Sequence, residues 1–257
     1  MSLSAQLVAL FDAPLAARET SNLTVCLAAS ELEVRAAQRL RYQVFVEEMG
    51  AHLTCDEPGI EADGFDPFCQ HLLVKDGEAV VGCYRILTDT QADRAGGYYS
   101  QAEFDITRIL AIPGRFMEIG RTCVHPDYRT GSTIALLWSG LARFMVMNKI
   151  DYLMGCASIP LRTGTREATL LYQRLARHHL APEGWRVYPR VPLPHVNLTD
   201  ADERPPVPAL IKGYLRAGAV ICGEPAWDPQ FNVADLFILL RADDVNERYA
   251  RHFIQRA

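Results

Sequence analysis

Residues 116–148 read FMEIGRTCVHPDYRTGSTIALLWSGLARFMVMN, and this stretch decides the fold. Its first part, residues 116–124, is mostly apolar or β-branched and predicts a buried strand. His125-Pro126-Asp127 ends the strand, because proline cannot donate to its hydrogen-bond ladder. Residues 132–148 are apolar nearly all round and predict a helix buried in the centre of the molecule. A buried strand followed directly by a buried helix predicts a layered domain of both elements.

The flanking sequence continues the mixture of strands and helices. Ser30 followed by Glu33 predicts the start of a helix that runs to about Glu48, and Asp76-Gly77 predicts a hairpin turn. The other elements we predict are strands at 23–28, 71–75, 78–87, 151–157, 219–222 and 234–240, helices at 3–11, 165–178, 208–216 and 243–253, and loops at 50–67, 88–97 and 181–208. We therefore predict one α/β (α+β) unit over 23–180, with an N-terminal segment, 1–22, and a C-terminal extension packed on the core, 181–257.

The composition narrows the class of protein. The chain has 257 residues, of which 49% are hydrophobic, and a formal net charge of -5, so we expect no nucleic-acid partner. Its seven cysteines are an odd number without a C-x-x-C pair, which indicates reduced thiols in a cytoplasmic protein. No apolar run approaches the ~20 residues that span a bilayer. Contact of the N-terminal segment with the inner membrane is left open.

The turn between the predicted strand and helix, Val124 to Gly131, is the first candidate binding site. A helix N-terminus presents free N–H groups and a partial positive charge, which suit a phosphate. The alternative is an ordinary strand-to-helix turn. The histidines show no metal-ligand spacing, so we predict no metal site.

The letters VHPDYR, before a small-residue loop and a central helix, resemble motif A of the GNAT acyltransferase superfamily. That resemblance implies a mixed twisted sheet with helices on both faces, and a loop that holds the pyrophosphate of coenzyme A. Here Ser132 and Ile134 occupy two positions that hold small residues in the family, where the backbone must approach the pyrophosphate closely. This difference favours a donor without a pyrophosphate. The phosphopantetheine arm of acyl carrier protein fits, and the protein itself would bind no cofactor. The implied donor contacts are Val124, Arg129, Thr130, Gly131 and Ser132.

Further segments are similar to acyl-homoserine lactone synthases, which are GNAT relatives. They are Arg41–Phe45, Asp63–Asp66, Gly82–Leu87, Phe104 and Glu118–Arg121. The tail instead resembles the L-ornithine N-alpha-acyltransferase branch, on the segments Ile211–Arg216, Gly223–Asp228 and Ala234-Asp235. Together these resemblances cover nearly all of the chain after Leu23. They imply transfer of a 3-hydroxyacyl group from acyl carrier protein to the α-amine of ornithine or a similar small amino acid, the first step in making an aminolipid.

This chemistry needs a base, because an ammonium group cannot attack a thioester. Glu118 is the predicted base or substrate anchor, with Arg121 as the second catalytic residue; the alternative for Glu118 is an ion pair with Arg121 or Arg85. The predicted substrate-binding residues are Arg41, Phe45, Asp63, Asp66 and Arg85. The arginines could equally pair with the acids as scaffold, and Phe45 could be core.

Two rival functions remain at this stage. One is an acyl-homoserine lactone synthase acting on S-adenosylmethionine, and the other is a non-catalytic module that binds acyl carrier protein. Docking of that acidic carrier would need basic charge, and seven basic residues follow the motif: Arg129, Arg143, Lys149, Arg162, Arg166, Arg174 and Arg177. A solvated helix face is the alternative reading of this cluster. The acceptor amino acid, the acyl chain length and the oligomeric state do not follow from the sequence.

Overall fold

The computed structural model describes residues 23–162, 164–194, 196 and 204–245. The strands in this part of the chain are β1 Leu23–Leu27, β2 Gln70–Asp76, β3 Ala79–Thr88, β4 Phe104–Asp105, β5 Phe116–Val124, β6 Tyr152–Pro160, β7 Tyr188–Pro189, β8 Val220–Ile221, β9 Ala226–Asp228 and β10 Val233–Arg241. The helices are α1 Glu31–Tyr42, α2 Asp89–Ala95, α3 Thr107–Leu110, α4 Gly131–Met147, α5 Thr165–His179 and α6 Ala209–Ala217. A π-helical segment, Gln43–Glu48, continues α1.

Most of these strands form one mixed sheet in the order β1-β2-β3-β5-β6-β10-β8, with β9 also paired to β10. Neighbouring strands are antiparallel except β5 and β6, which are parallel. Strands β8, β9 and β10 therefore extend the same sheet, since β10 pairs with β6 over its full length, whereas β7 pairs with β4 in a separate two-stranded sheet.

Helices cover both faces of the sheet. Successive side chains of a strand point to opposite faces, and on β3 Cys83 packs in one cluster with Leu40 of α1, whereas Tyr84 packs in another with Leu137 of α4. The predicted fold class, α/β with helices on both sides of a mixed sheet, is confirmed. None of the described helices is long and apolar enough to cross a bilayer.

Local signals explain where the predicted elements begin and end. Ser30 accepts the N–H of Glu33 as the N-cap of α1, and β5 has the predicted bounds. The predicted loop at 88–97 is wrong, because it contains α2. Thr88 caps that helix, and Gly96 ends it in the left-handed conformation with φ 85°. The predicted helix at 3–11 and residues 246–253 of the predicted closing helix lie outside the described residues.

The two central strands separate partway along their length. The parallel register of β5 and β6 covers three positions and ends where Glu118 faces Met154. Just beyond, the backbones are still close, because a Cβ at Gly155 would lie 2.3 Å from the carbonyl oxygen of Ile119. Beyond this point residues of both strands, among them Arg121 and Ser158, line one cavity, so the sheet contains a cleft between its two central strands.

A β-bulge in β5 follows the point of separation. Arg85 pairs with Gly120 and Cys83 pairs with Cys123, so β5 has one residue more than β3 in this interval. Arg121 lies in the bulge with φ 50°, a left-handed conformation that is uncommon for a residue with a side chain. Such bulges redirect side chains, and this one directs Arg121 to the acidic residues of the 50–67 loop.

Candidate functional site

A cavity of about 230 Å³ opens where β5 and β6 separate. Glu118, the last residue of β5 that pairs with β6, lines it together with Arg121 in the bulge. Among its other lining residues are Phe45, Arg85, Asp228 and Asp235. The cavity thus combines cationic, anionic and aromatic groups, as binding sites for polar small molecules do.

The arginines and aspartates predicted from the sequence form one buried network of ion pairs, which also includes Glu61, a residue that was not predicted. Arg41 binds Glu61 and Asp66, with its Nη1 2.9 Å from Asp66 Oδ1. Arg85 Nη1 lies 2.6 Å from Asp63 Oδ1 and 3.1 Å from Asp66 Oδ1. Arg121 Nη2 lies 2.9 Å from Asp63 Oδ2, and its Nε lies 3.0 Å from Glu61 Oε1. Three guanidinium groups therefore balance three carboxylates, which is the scaffold role left open by the sequence.

This network connects α1, the 50–67 loop, β3 and β5. Burial opposes the charged form of Asp66, yet Arg41 and Arg85 lower the pKa of that carboxyl well below its usual value. Arg41 is fully buried, and neither it nor Asp63 or Asp66 is among the residues that line the cavity. Their predicted contact with substrate stays a prediction, and in this structure they fix the positions of Arg85 and Arg121, which do line it.

Glu118 is held by the segment 98–102 and not by an arginine. Its Oε2 accepts the N–H of Tyr99 at 2.7 Å, and its Oε1 accepts the N–H of Ser100 at 2.8 Å together with the Ser100 hydroxyl. Burial raises the pKa of Glu118, and the bonds from Ser100 and Tyr99 partly oppose that rise. The ion pair with Arg121 or Arg85 considered from the sequence is thus replaced by hydrogen bonds, and the carboxyl group remains on the cavity wall.

Aromatic rings form another part of the wall. The ring of Phe45 meets that of Phe231 edge-on, with centroids 5.6 Å apart. The guanidinium carbon of Arg121 lies 4.7 Å from the centroid of Tyr99 and 4.9 Å from that of Phe231. Phe45 therefore lines the cavity and also belongs to the hydrophobic cluster beneath α1, and its predicted contact with substrate stays a prediction.

The predicted donor-binding residues lie elsewhere, at the N-terminal end of α4. None of Val124, Arg129, Thr130, Gly131 and Ser132 lines this cavity. The guanidinium of Arg129 binds both carboxylate oxygens of Glu48, at 2.7 and 2.5 Å, and Val124 is buried in the core. The side chain of Thr130, the N-cap residue of α4, makes no hydrogen bond to the backbone of the helix. The Thr130 side chain therefore leaves the first N–H groups of α4 without a cap. The role of these residues in donor binding stays a prediction.

Sequence reasoning missed a second group of acids in the cavity. Glu103, Asp228 and Asp235 each place a carboxylate oxygen within 4.8 Å of the others. All three line the cavity. Burial raises the pKa of Glu103 to about 8, and the nearby Asp235 acts in the same direction. Burial likewise raises the pKa of Asp235 to about 7, because the ionised form is disfavoured away from water.

One of these acids had a detectable signal. Asp235 interrupts the apolar run 233–240, and a lone acid in a buried strand indicates a special environment. Asp228 lies in a segment that resembles the L-ornithine branch, but no role was predicted for it, and Glu103 carries no comparable signal. Only the pairing of β9 with β10 brings Asp228 next to Asp235.

Comparison with known proteins agrees with this geometry. A family model described as an acetyltransferase (GNAT) domain matches residues 40–139. The L-ornithine N(alpha)-acyltransferase of Rhodobacter capsulatus is 39% identical over 250 residues, which cover 90% of this chain and 94% of that protein. The solved structure of FeeM, an N-acyl amino acid synthase from uncultured soil microbes, is 14% identical with a TM-score of 0.55, over 88% of this chain and 95% of that one.

A second solved structure is the CoA-dependent acyl-homoserine lactone synthase BjaI, 16% identical with a TM-score of 0.56, over 91% of this chain and 89% of that one. At such low identity the two solved structures show the fold alone. The identity to the Rhodobacter protein is much higher and extends over almost the whole of both chains. The chain therefore belongs to the family of L-ornithine N(alpha)-acyltransferases and has the GNAT fold.

Proposed function

We propose that this protein transfers a 3-hydroxyacyl group from acyl carrier protein to the α-amine of L-ornithine, which gives a lyso-ornithine lipid. The observation that carries the proposal is the charge pattern of the cavity, with Arg85 and Arg121 on its wall and three further carboxylates that form no ion pair with an arginine of the described residues. Ornithine carries both signs of charge, a carboxylate and two amino groups. The 39% identity to a protein named for this acceptor supports the same choice.

The reaction exchanges a thioester for an amide. The neutral α-amine attacks the thioester carbonyl, a C–N bond forms, the C–S bond breaks, and the nitrogen loses a proton while the thiolate gains one. Glu118 is the proposed proton acceptor, because its raised pKa favours uptake of a proton and its Oε2 has spare acceptor capacity beside the Tyr99 N–H. Arg85 and Arg121 are proposed to hold the acceptor carboxylate, since each has N–H donors beyond those its ion pairs use.

Replacing Glu118 by glutamine tests its role. We expect kcat to fall by ~10²- to 10⁴-fold, the usual contribution of general base catalysis, with little change in the KM for the donor. Because Glu118 also accepts backbone N–H groups, circular dichroism must first show that the variant is folded. An unchanged kcat in a folded variant removes Glu118 as the base.

The donor is proposed to be phosphopantetheine on acyl carrier protein. The uncapped N-terminus of α4 supplies amides for a single phosphate, with Arg129 beside it. Three basic side chains are exposed: Arg143 on α4, Lys149 just after it and Arg177 on α5. Their positive charge would attract the acidic carrier. The product is a lipid, so brief contact with the inner membrane belongs to the same proposal, and flotation with lipid vesicles checks it.

A product assay separates the candidate functions. The protein is incubated with 3-hydroxyacyl carrier protein and ornithine, glutamine, glycine, serine or S-adenosylmethionine, and both free thiol and the product are followed. We expect thiol release and an acyl-amino acid with ornithine. A lactone from S-adenosylmethionine indicates a homoserine lactone synthase, and carrier binding without thiol release indicates a non-catalytic module. Replacing the carrier with the matching acyl-coenzyme A tests the donor, and equal turnover contradicts the carrier requirement.

A further inference from the structure

We infer that Glu103, Asp228 and Asp235 form a subsite for the side-chain ammonium of the acceptor, and that this subsite selects diamino acids over neutral amino acids. The inference rests on the proposed function and assigns its acceptor specificity to named residues. We call these three residues the carboxylate trio.

The geometry of the carboxylate trio suits an ammonium group. Glu103 follows a 3-10 turn at Tyr99–Ala102, Asp228 ends β9 and Asp235 lies on β10. Their ligand oxygens lie within 4.8 Å of one another on the cavity wall, so one nitrogen can reach all of them at hydrogen-bond distance. An alkylammonium has three N–H donors, one for each carboxylate.

Among the described residues, no cation forms an ion pair with Glu103 or Asp235, whereas each acid of the arginine network is paired with an arginine. Asp235 is only 3% exposed, and within the described residues its carboxylate accepts a single hydrogen bond, from the Ser158 hydroxyl at 2.6 Å to Oδ1. Glu103 Oε2 is shielded from solvent and has no hydrogen-bond partner among the residues that the structure describes. Neither residue forms an ion pair with any part of the chain that the structure describes. Buried carboxylates without a cation are costly, and a cationic ligand in the cavity removes that cost.

The chemistry of the two amino groups of ornithine decides which one the trio binds. Ionised carboxylates stabilise the charged form of a neighbouring amine and so raise its pKa. The attacking α-amine must become neutral, and three carboxylates around it would oppose that step. The side-chain ammonium stays charged throughout the reaction. The trio therefore binds the side chain and leaves the α-amine to the part of the cavity lined by Glu118.

The raised pKa values of Glu103 and Asp235 agree with a site that binds a cation. With pKa values of about 8 for Glu103 and about 7 for Asp235, these two carboxyl groups of the ligand-free protein retain protons near neutral pH. A bound ammonium replaces those protons as the compensating positive charge.

The experiment compares two acceptors that differ only in the side-chain ammonium, L-ornithine and L-2-aminopentanoic acid. We expect the wild type to prefer ornithine in kcat/KM. In Asp235→Asn and Glu103→Gln, the preference should fall by ~10- to 100-fold through a higher KM for ornithine, as expected for loss of a hydrogen bond between charged groups. The matched control is Glu78→Gln, because the side chain of Glu78 is fully exposed and lies outside the cavity, so its preference should equal that of the wild type.

Each other outcome has a distinct meaning. If the wild type acylates neither acceptor, the proposed function fails. If it acylates ornithine but the trio variants keep the wild-type preference, or lose activity equally on both acceptors, the inference is overturned while the function stands. Because three carboxylates also suit a divalent cation, the assays are repeated with EDTA and with added Mn²⁺. Loss of the ornithine preference in EDTA, restored by Mn²⁺, assigns the trio to a metal and also overturns the inference.

Discussion

Replacing Asp235 by asparagine should stabilise the ligand-free protein at alkaline pH. The carboxyl group has a pKa of about 7 in the folded protein against an ordinary value of 3.8, because burial and the charge of Asp228 disfavour its ionised form more strongly than the Ser158 hydroxyl and Arg121 favour it. Ionisation therefore costs free energy in the folded state alone. At about 1.36 kcal/mol per pKa unit, the difference between 7 and 3.8 sets a ceiling of about 4 kcal/mol. Water in the cavity and shared titration with Glu103 reduce this to about 1–3 kcal/mol.

The sign of the effect gives a test in which packing changes cancel. Protonated aspartate and asparagine are alike, so the two proteins should have similar unfolding free energies near pH 4. As the pH rises from about 4 to about 8, the wild type loses stability through this carboxyl group and the variant does not. Urea unfolding at pH 5 and pH 9 should show the advantage of the variant growing with pH. A difference that is the same at both pH values would refute the reasoning, and Glu78→Gln serves as the flat control.

Three further predictions concern other parts of the site. Ser100→Ala removes a donor that lowers the pKa of Glu118, so the acid limb of the pH–rate profile should move to higher pH; an unmoved limb means that Glu118 is not the titrating base. Gly155→Ala places a Cβ 2.3 Å from the carbonyl oxygen of Ile119, so we expect the unfolding free energy to fall by about 1–3 kcal/mol and kcat to fall as well. Wild-type values of both quantities would contradict the close approach of the two strands. Arg143→Glu should raise the KM for acyl carrier protein several-fold at low salt and less at high salt. The KM for a free acyl-pantetheine donor should not change. An effect on KM that is independent of salt contradicts docking of the carrier at Arg143.

The sequence predicted the elements with long, unambiguous patterns. β5 and α4 agree with their predicted bounds to within one residue, because a run of buried apolar side chains leaves little freedom in placing them. Helix α2 was missed because residues 89–95 are mostly polar, and its capping residues, Thr88 and Gly96, were read as loop signals.

The candidate site divides in the same way. Sequence resemblance identified Arg85, Glu118 and Arg121, which line the cavity, but it left open whether the arginines bind substrate or acids. That choice depends on distances between segments far apart in the chain, such as the 3.0 Å contact of Arg121 Nε with Glu61. The carboxylate trio lay beyond reach for the same reason, since its members come together only through the pairing of β9 with β10 and the turn before β4.

A crystal structure of the protein with L-ornithine bound, at a pH above the values of about 8 and about 7 for Glu103 and Asp235, tests the central claim most directly. The account predicts the side-chain nitrogen at hydrogen-bond distance from at least two of Glu103, Asp228 and Asp235, with the α-amine on the Glu118 side of the cavity. Ornithine bound with its α-amine in the trio, or outside the space between β5 and β6, would contradict it.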